Sequence, residues 1–333
     1  MPTTPPALLL DRATVAALLT LDDCIVAVEA AFAAHARGET ISPGLLHADG
    51  LGREFHLKAG GLLGARPVYA CKLNGGFFQN CARHDLPHIQ GLILLYDATN
   101  GVPLAVMESG TVTILRTGAA TAVAAKYLAR PESATATICG VGTQGAVQLR
   151  ALTRVLPALK TVHAWSRDPA RAAVFAEKMS AELSLDVRPA PDLGAATRAS
   201  DVVVTCTPAK KAFLNQEHIS PGTFIAAVGA DSPDKHEIAP ALVAASSVVC
   251  DLLNQCARVG DLHHALAAGL MTAAEVRGEL GAIINGTAPR RTRADEIILF
   301  DSTGTALQDA AAALAVYERA LAAGRGTRFP FWG

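Results

Sequence analysis

The sequence has almost no net charge and few aromatic side chains. Its 333 residues carry 29 Lys and Arg against 30 Asp and Glu, a formal net charge of −1, and 5% of them are aromatic. A protein that neutralises a nucleic-acid backbone needs an excess of basic side chains, and single strands are bound by stacking on aromatic rings. We therefore expect no nucleic-acid partner.

Long apolar runs and paired cysteines are also absent. No 18 consecutive residues are free of charges and turn breakers, and no Lys or Arg precedes the short apolar run at residues 7–10. This pattern predicts neither a membrane span nor a signal peptide. The seven cysteines are scattered and form no CxxC pair. They are typical of reduced thiols in a cytoplasmic protein, and we expect no metal site.

Half of the residues are hydrophobic, and they follow two different patterns along the chain. Between residues 42 and 106, short β runs alternate with Gly, Pro and Asn clusters, which predicts a mostly antiparallel sheet with a hairpin turn at 97–101. Helices are predicted over 14–37 and 113–129. From residue 135, continuous apolar β runs alternate with helical segments, one of them at 236–245, which indicates a parallel sheet covered on both faces.

The predicted fold class is therefore α/β. A Rossmann-like, doubly wound parallel sheet at about 131–304 is inserted in an α+β domain, which is made of residues 1–130 and 305–333. The last predicted helix, 305–323, packs back on the first half of the chain in this interpretation.

A glycine-rich loop follows the first strand of the predicted parallel sheet. Gly140, Gly142 and Gly145 fit the pattern G-x-G-x-x-G, with a β run before them and a helix-forming run after them. Such glycines let the backbone approach a pyrophosphate at a helix N-terminus, which predicts a dinucleotide site. The alternative is a turn of the same composition that binds nothing.

The residues after the second strand bear on the choice of cofactor. An NAD-binding chain places Asp or Glu about 20 residues past the glycine loop, to bind the ribose 2′-hydroxyl. Here Ser166 and Arg167 follow the β run at 161–165, and a guanidinium attracts a 2′-phosphate. The sequence favours NADP(H), with NAD(H) possible, since Asp168 follows directly. Alternatively, Arg167 is a solvated residue at the start of a helix.

Two basic residues in the first half of the chain need anionic partners. Lys72 lies in a β run that should be half-buried, and Arg116 lies near the start of a predicted helix. A buried cation is costly unless it is paired. Both residues are candidates to bind a ligand carboxylate, and structural ion pairs are the alternative.

Five short strings together resemble the ornithine cyclodeaminase/mu-crystallin family. They are CKLNGG (71–76), LRTGAA (115–120), ICGVGTQG (138–145), GADSPDKHE (229–237) and LFDSTG (299–304). The resemblance runs from about residue 14 to about residue 320. It implies NAD(H) or NADP(H) in a Rossmann domain, and a homodimer formed through the sheet of the first half. It also implies a small amino- or imino-acid substrate. That no membrane is involved is expected from the lack of long apolar runs.

The resemblance also implies roles for individual residues. Lys72 falls on the lysine that binds the substrate carboxylate, Arg116 on an arginine between substrate and cofactor, and Asp231 on the catalytic aspartate. Lys235 falls on a cofactor-contacting lysine, and Thr303 on a substrate-lining position. Further cofactor-lining positions are His88, Thr143, Gln144, Ser166, Thr207, Ala226, Ala227, Val228, Gly229 and Ser302.

One departure from the family pattern concerns the substrate. The family's carboxylate-binding arginine near the end of the first strand is missing, and His47 stands nearest to that position. Lys58 is a candidate to compensate. This leaves the identity of the substrate open.

Three functions remain in competition. The leading hypothesis is an NAD(P)H-dependent ketimine reductase or amino-acid dehydrogenase acting on a small 2-imino or amino acid. Lys72 and Arg116 would orient the carboxylate, and Asp231 would exchange a proton with the nitrogen. The second is ornithine cyclodeaminase, which forms proline and ammonia. The third is a non-catalytic, NADPH-dependent small-molecule binder, against which the presence of both Lys72 and Asp231 argues.

Overall fold

The computed structural model describes residues 5–50, 53–77 and 79–331, apart from the side chains of residues 49, 53, 81 and 82. The helices and strands, in chain order, are β1 (Ala7–Leu10), α1 (Arg12–Leu18), α2 (Leu21–Ala36), β2 (Thr40–Gly50), β3 (Arg53–Leu62), β4 (Val68–Gly76), α3 (Asn80–His84), β5 (Ile89–Asp97), β6 (Pro103–Glu108), α4 (Ser109–Leu128), β7 (Thr135–Cys139), α5 (Thr143–Val155), β8 (Thr161–Trp165), α6 (Pro169–Leu183), β9 (Asp186–Pro189), α7 (Leu193–Arg198), β10 (Val202–Thr205), β11 (Lys210–Leu214), β12 (Phe224–Ala227), β13 (His236–Ile238), α8 (Pro240–Ala244), β14 (Ser247–Cys250), α9 (Leu253–Val259), α10 (Asp261–Ala267), β15 (Gly278–Glu279), α11 (Leu280–Ile284), β16 (Ile298–Asp301), α12 (Ala306–Ala322) and β17 (Thr327–Phe329).

The chain divides into two compact units. One consists of Met1–Arg116 and Thr305–Gly333, and the other of Thr117–Gly304. The roles predicted for the two parts, substrate binding with dimerisation and dinucleotide binding, remain predictions. Among the described residues, no helix is long and apolar enough to cross a membrane. The six cysteines whose side chains are described are free thiols.

The first unit contains a seven-stranded sheet in the order β17-β1-β6-β5-β4-β3-β2. Strands β2 to β6 pair antiparallel, as predicted, and among the described strands of this sheet only β1 and β6 pair in parallel. The segment predicted as one helix over 14–37 is two helices, because Thr20 and Asp23 form a capping box that starts α2 afresh. Helix α12 packs against α2 and against β3 and β4.

The two faces of this sheet differ in chemistry. Successive residues of a strand point to opposite faces, and Lys58 of β3 is paired in register with Lys72 of β4. Both lysines are buried. The neighbouring pair, Leu57 and Leu73, points to the other face, where Leu73 is exposed. One face of the sheet is therefore buried and includes two lysines among apolar residues such as Ile93, and the other face exposes apolar side chains.

The second unit contains an eight-stranded sheet in the order β15-β14-β16-β12-β10-β7-β8-β9, and every pair in it is parallel. The residues of β10, β12 and β16 are all buried, as continuous apolar strands require. The strand order reverses at β7, since β8 lies on one side of it and β10 on the other. Doubly wound sheets bind ligands at such a point, outside the carboxyl ends of the strands, which here is next to the end of β7. The α/β fold class predicted from the sequence is confirmed.

One predicted element of this unit is wrong. Residues 236–245 form β13 followed by the short helix α8, rather than one helix. Strand β13 pairs with β11 in a separate two-stranded sheet. Pro240 disfavours a helical conformation of the residue before it and is well placed at a first helical position, so the helix begins at Pro240.

Candidate active site

The glycine loop has the geometry of a pyrophosphate-binding turn. Gly140 has φ +115°, and a Cβ atom there would lie 2.8 Å from the Cys206 carbonyl oxygen. A Cβ on Gly145 would lie 2.0 Å from the Gly140 carbonyl oxygen, which shows how closely α5 packs on the loop. Gly142 is the N-cap of α5, and a Cβ atom placed on it would have no other atom within 4 Å. The unpaired N–H groups of the first helical turn are therefore accessible to an anion, and these residues fit the pyrophosphate of a dinucleotide.

A cleft of about 450 Å³ adjoins this loop and is lined by Gly142 and Thr143 on one side and by α6 on the other. Helix α6 contributes Arg171, Phe175 and Lys178. The sequence analysis did not single out Arg171 and Lys178. The only signal for them was their place, in the first and third turns of the helix that follows β8.

The residues between β8 and α6 differ in what they contact. Asp168 caps α6 by accepting the N–H of Ala170, and Ser166 Oγ accepts the N–H of Asp168. The Asp168 carboxylate is thus held by its own helix. Arg167 is exposed and forms no ion pair with a described residue.

The carboxyl ends of four neighbouring parallel strands bring most of the predicted cofactor residues to one edge of the sheet. Gly140 follows β7, Thr207 follows β10, Val228 and Gly229 follow β12, and Ser302 follows β16. Thr143 and Gln144 begin α5 at the same edge. Ala226 and Ala227 instead lie within β12 and are 0% and 1% exposed.

Glu237, to which the sequence analysis assigned no role, ties two of these loops together. Its Oε1 accepts hydrogen bonds from Thr207 N and Oγ1, both at 2.7 Å, and its Oε2 accepts one from Gly229 N at 2.8 Å. Burial and the neighbouring charge of Asp261 raise the pKa of Glu237 to about 7. The only signal for Glu237 in the sequence was its place at the end of the string 229–237.

Two further buried carboxyl groups, those of Asp261 and Asp301, support the same edge. Asp261 Oδ1 accepts the N–H groups of Glu237 and Ile238, and Asp301 Oδ2 accepts the N–H of Leu262. Burial raises the pKa of Asp261 to about 6, and burial together with Asp261 raises the pKa of Asp301 well above its usual value. Within the described part of the chain, no group of acidic, His or Cys residues could hold a metal ion.

Thr303 is held from two sides. Its Oγ1 donates to Asp251 Oδ1 at 2.9 Å and accepts from Gln255 Nε2 at 2.8 Å. Burial raises the pKa of Asp251. The predicted substrate-lining threonine therefore has a fixed orientation within the second unit.

Asp231 and Lys235 form an ion pair in the loop after β12. Lys235 Nζ donates to Asp231 Oδ1 at 2.5 Å. The Lys235 side chain is 8% exposed and the Asp231 side chain 36%, so the carboxylate is the accessible member. The Lys235 carbonyl accepts a hydrogen bond from His264 Nε2, which holds the end of the loop on α10. This arrangement presents an ionised carboxylate that can accept a proton.

Lys72 and Arg116 meet at a buried carboxylate in the first unit. Lys72 Nζ donates to Asp309 Oδ1 at 2.7 Å, and Arg116 Nε lies 3.2 Å from the same oxygen. Burial, opposed by Asp309, lowers the pKa of Lys72 to about 7. Burial alone would raise the pKa of Asp309, but the charges of Lys72 and Arg116 outweigh it and hold that pKa below its usual value. The anionic partner that Lys72 required is Asp309, which the sequence analysis missed.

The other predicted residues of the first unit are His47, Lys58 and His88. His47 and His56 are paired in register across β2 and β3, and their rings meet edge to face at 4.5 Å. His56 Nε2 contacts Glu54 Oε2 at 3.2 Å. Lys58 is buried next to Lys72 in register. His88 is exposed just before β5, and its carbonyl accepts the N–H of Phe77.

The matches to known proteins extend over almost the whole chain. Residues 7–324 match the model of the ornithine cyclodeaminase/mu-crystallin family, which confirms the resemblance carried by the five strings. The alanine dehydrogenase of Archaeoglobus fulgidus is 35% identical over 98% of this chain and 98% of its own. These matches confirm the prediction that the chain is an oxidoreductase of this family.

Two solved structures are similar over almost their full length. An archaeal alanine dehydrogenase dimer with bound NAD has a TM-score of 0.92 and 33% identity, and the alignment covers 98% of this chain and 99% of that one. The Δ1-pyrroline-2-carboxylate reductase of Thermococcus litoralis, in complex with NADH and L-proline, has a TM-score of 0.91 and 31% identity, with 96% and 99% covered.

Proposed function

The chain belongs to the ornithine cyclodeaminase/mu-crystallin family, and from that premise we propose that it is an NAD(P)H-dependent imino-acid reductase or amino-acid dehydrogenase. The observation that carries this proposal is that the second unit has a pyrophosphate-binding glycine loop and the first unit has a buried lysine and arginine that suit a substrate carboxylate. The similar solved structures contain NAD or NADH, and one of them also contains an amino acid.

The cofactor is a nicotinamide dinucleotide held by the glycine loop and the N-terminus of α5. When bound, it supplies or accepts a hydride with its two electrons. The chain prefers NADP(H), because Arg167 is exposed after β8 while the Asp168 carboxylate is held by Ala170. Arg171 and Lys178 add positive charge along the adjoining cleft, where a phosphate is favoured and an acidic ribose ligand is missing.

The substrate is a small 2-imino or 2-amino acid whose carboxylate is bound by Lys72 and Arg116. Asp309 keeps both cations in place, so the site is ordered before substrate arrives and orientation contributes to the rate. His47 and Lys58 complete the lining, and Thr303, fixed by Asp251, contributes a hydroxyl.

Asp231 is the proton-transfer residue. In the oxidative direction its carboxylate, kept ionised beside Lys235, accepts a proton from the substrate nitrogen as the C=N bond forms. In the reductive direction the electron pair of the C=N bond moves to nitrogen, and the nitrogen takes that proton back. Glu237, through Thr207 and Gly229, fixes the loops on either side of the cofactor edge.

The protein is a homodimer that uses the exposed face of the first unit's sheet. Leu46, Leu57, Leu73 and Leu92 stand opposite one another on β2, β3, β4 and β5. Of these, Leu46, Leu73 and Leu92 are 62%, 47% and 53% exposed. Contiguous exposed apolar surface of this kind marks a protein interface, and a second copy is the partner that one of the similar structures has.

An assay that measures NADPH oxidation by the loss of NADPH absorbance tests the proposed function. The panel consists of 2-oxo acids with ammonia or methylamine, together with cyclic imino acids. Turnover on any of them supports a reductase. Ornithine incubated with NAD is the second arm, in which proline and ammonia without net cofactor reduction would indicate a cyclodeaminase instead. Tight NADPH binding with no turnover in either arm would indicate a binder and contradict the proposal.

A further inference from the structure

Gln308 is a buried glutamine in the first turn of α12, next to Asp309. Together with Thr305 it forms the capping box that starts this helix. Thr305 Oγ1 accepts the N–H of Gln308 at 3.4 Å, and Gln308 Oε1 accepts the N–H of Thr305 at 3.3 Å. The carbonyl end of the amide therefore has a structural role.

The same carbonyl also binds Arg116. Gln308 Oε1 accepts from Arg116 Nη1 at 3.0 Å, and Arg116 Nε lies 3.2 Å from Asp309 Oδ1. Two N–H donors on one end of the amide identify that end as the oxygen, so the other end is the nitrogen. Because the two ends are joined through one carbon atom, Gln308 Nε2 lies within about 5.5 Å of Arg116 Nη1.

The nitrogen end of the amide is a buried donor with no acceptor among the described residues. The neighbouring carboxylate does not supply one, since Asp309 Oδ1 accepts from Lys72 and Asp309 Oδ2 has no hydrogen-bond partner among the same residues. Buried N–H groups without an acceptor are rare in folded proteins. A ligand carboxylate would satisfy Gln308 Nε2, because it offers about four lone-pair sites and no donor.

We propose that Gln308 is a substrate-binding residue, whose Nε2 donates a hydrogen bond to the carboxylate that Lys72 and Arg116 attract. All three residues belong to the first unit. The two cations supply charge, and Lys72 does so as a point charge on a flexible stem. The amide supplies a donor whose direction is fixed by the two hydrogen bonds to its carbonyl, so it orients the carboxylate. This inference rests on the proposed function and adds a residue to its substrate site.

Gln308→Glu separates the nitrogen of the amide from its carbonyl. Glutamate is the other residue that a capping box uses at this position, and its carboxylate still accepts from Arg116 and from the N–H of Thr305. Only the N–H donor is lost, and an oxygen that repels a carboxylate replaces it. The dissociation constant of lactate, measured by titration calorimetry with NADPH saturating, should rise by at least about tenfold, the worth of a hydrogen bond to a charged group. The melting temperature should stay close to that of the unmodified protein.

Lactamide distinguishes a direct contact from the charge that Gln308→Glu adds. It is neutral, and an NH2 group replaces one carboxylate oxygen of lactate. In a direct contact this NH2 group donates to the carboxylate that the substitution introduces, so lactamide should bind Gln308→Glu more tightly than it binds the unmodified protein. An unchanged or lower lactamide affinity would show that the variant acts on lactate through its charge alone, and would overturn the contact.

Gln308→Met removes the donor without adding a charge. Lactate binding should again weaken by about tenfold to a hundredfold, and the melting temperature should fall because the capping hydrogen bond is lost. Unchanged lactate affinity in Gln308→Met would refute the role of the amide.

Three control variants set the scale for these measurements. Thr20→Val removes the equivalent capping hydrogen bond of α2 in the same unit, and should lower the melting temperature without changing lactate affinity. Lys72→Met removes one of the two proposed carboxylate-binding cations and should weaken lactate binding strongly. Lys160→Met, at an exposed lysine of the second unit, should leave it unchanged. Weakened lactate binding in Thr20→Val to the same extent as in Gln308→Met would reduce the effect of Gln308 to stability and overturn the contact.

These binding measurements need no turnover, so they separate this inference from the proposed function. If the enzyme reduces imino acids, but the unmodified protein binds no lactate or both Gln308 variants bind it normally, the proposed function stands and the role of Gln308 is wrong. If the enzyme reduces no imino acid while lactate and lactamide affinities depend on Gln308 as expected, the proposed function fails and Gln308 remains part of a carboxylate site.

Discussion

The titration of Lys72 predicts how substrate affinity depends on pH. Burial lowers the pKa of Lys72 to about 7, whereas the pKa of Asp309 is held below its usual value, so Asp309 stays ionised throughout the neutral range. As the pH rises above 7, Lys72 loses its proton and with it the charge that attracts a carboxylate. Binding of a carboxylate ligand should therefore weaken towards high pH.

The magnitude follows from the protonated fraction. One unit above the pKa about a tenth of the lysine is protonated, and two units above it about a hundredth, each tenfold step being worth about 1.36 kcal/mol. Because Lys72 is about half-protonated at pH 7 and about a hundredth protonated at pH 9, the inhibition constant of a carboxylate should rise by up to about fiftyfold between these pH values. Arg116 remains charged and sets a lower limit to the affinity.

Lactate is the suitable probe, because it carries a carboxylate and no nitrogen that titrates in this range. Its inhibition constant is measured at constant ionic strength from pH 6 to pH 9.5, with the cofactor saturating. Lys72→Met should bind lactate weakly at every pH, and Lys160→Met should keep the unmodified profile. A flat profile in the unmodified enzyme, or an unchanged slope in Lys72→Met, would show that another group titrates.

The same pKa makes a prediction about stability with a definite sign. The unfolded chain has the ordinary lysine pKa of 10.5, and the folded chain has a value of about 7. Between these values the unfolded state binds more protons, so this residue favours folding more strongly as the pH rises through that window. The melting temperature of the unmodified protein, relative to that of Lys72→Met, should accordingly increase from pH 7 to pH 9.

Three further predictions concern the remaining proposals. Asp231→Asn should lower kcat by about 10²–10⁴ and leave cofactor affinity in a titration almost unchanged; loss of the cofactor instead would make Asp231 a structural residue. Ser166→Asp should shift the NADPH-to-NADH ratio of kcat/KM about tenfold to a hundredfold towards NADH, and equal use of both cofactors by the unmodified enzyme would contradict the preference. Leu73→Asp should convert a dimer to a monomer in light scattering, whereas Val26→Asp, at an equally apolar and 70% exposed position of α2, should not; dimers in both variants would exclude this face.

The parallel sheet could be predicted because its signals are local. Strands such as β10 and β12 are continuous apolar runs, and the glycine loop combines a strand, three glycines and a helix within ten residues. Prediction failed where a single residue decides the local structure. Pro240 ends the extended segment of β13, and the capping box at Thr20 divides one amphipathic pattern into two helices.

The buried charge partners could not be predicted, because they come from distant parts of the chain. Asp309 is 237 residues from Lys72, and it reaches β4 only because α12 packs on the sheet. Glu237 is 30 residues from Thr207. In the sequence, both carboxylates look like ordinary residues of a helix or a charged loop. A buried lysine shows that an anion is needed and does not show where in the chain it lies.

The ion pair with Asp309 affects how Lys72 can bind a ligand. The sequence left open whether Lys72 forms a structural ion pair or binds a ligand. The structure shows the ion pair with Asp309, and the proposed function adds the ligand to it. One carboxylate shared by two cations orients both of them and compensates only part of their charge. The remaining charge is available to a substrate, and little reorganisation is needed when the substrate binds. Burial contributes as well, because a lysine whose pKa lies near 7 is about half-protonated at neutral pH and becomes more fully protonated when a carboxylate binds. In the proposed function the ion pair is therefore part of the substrate site, and the positive charge that it leaves binds the substrate carboxylate.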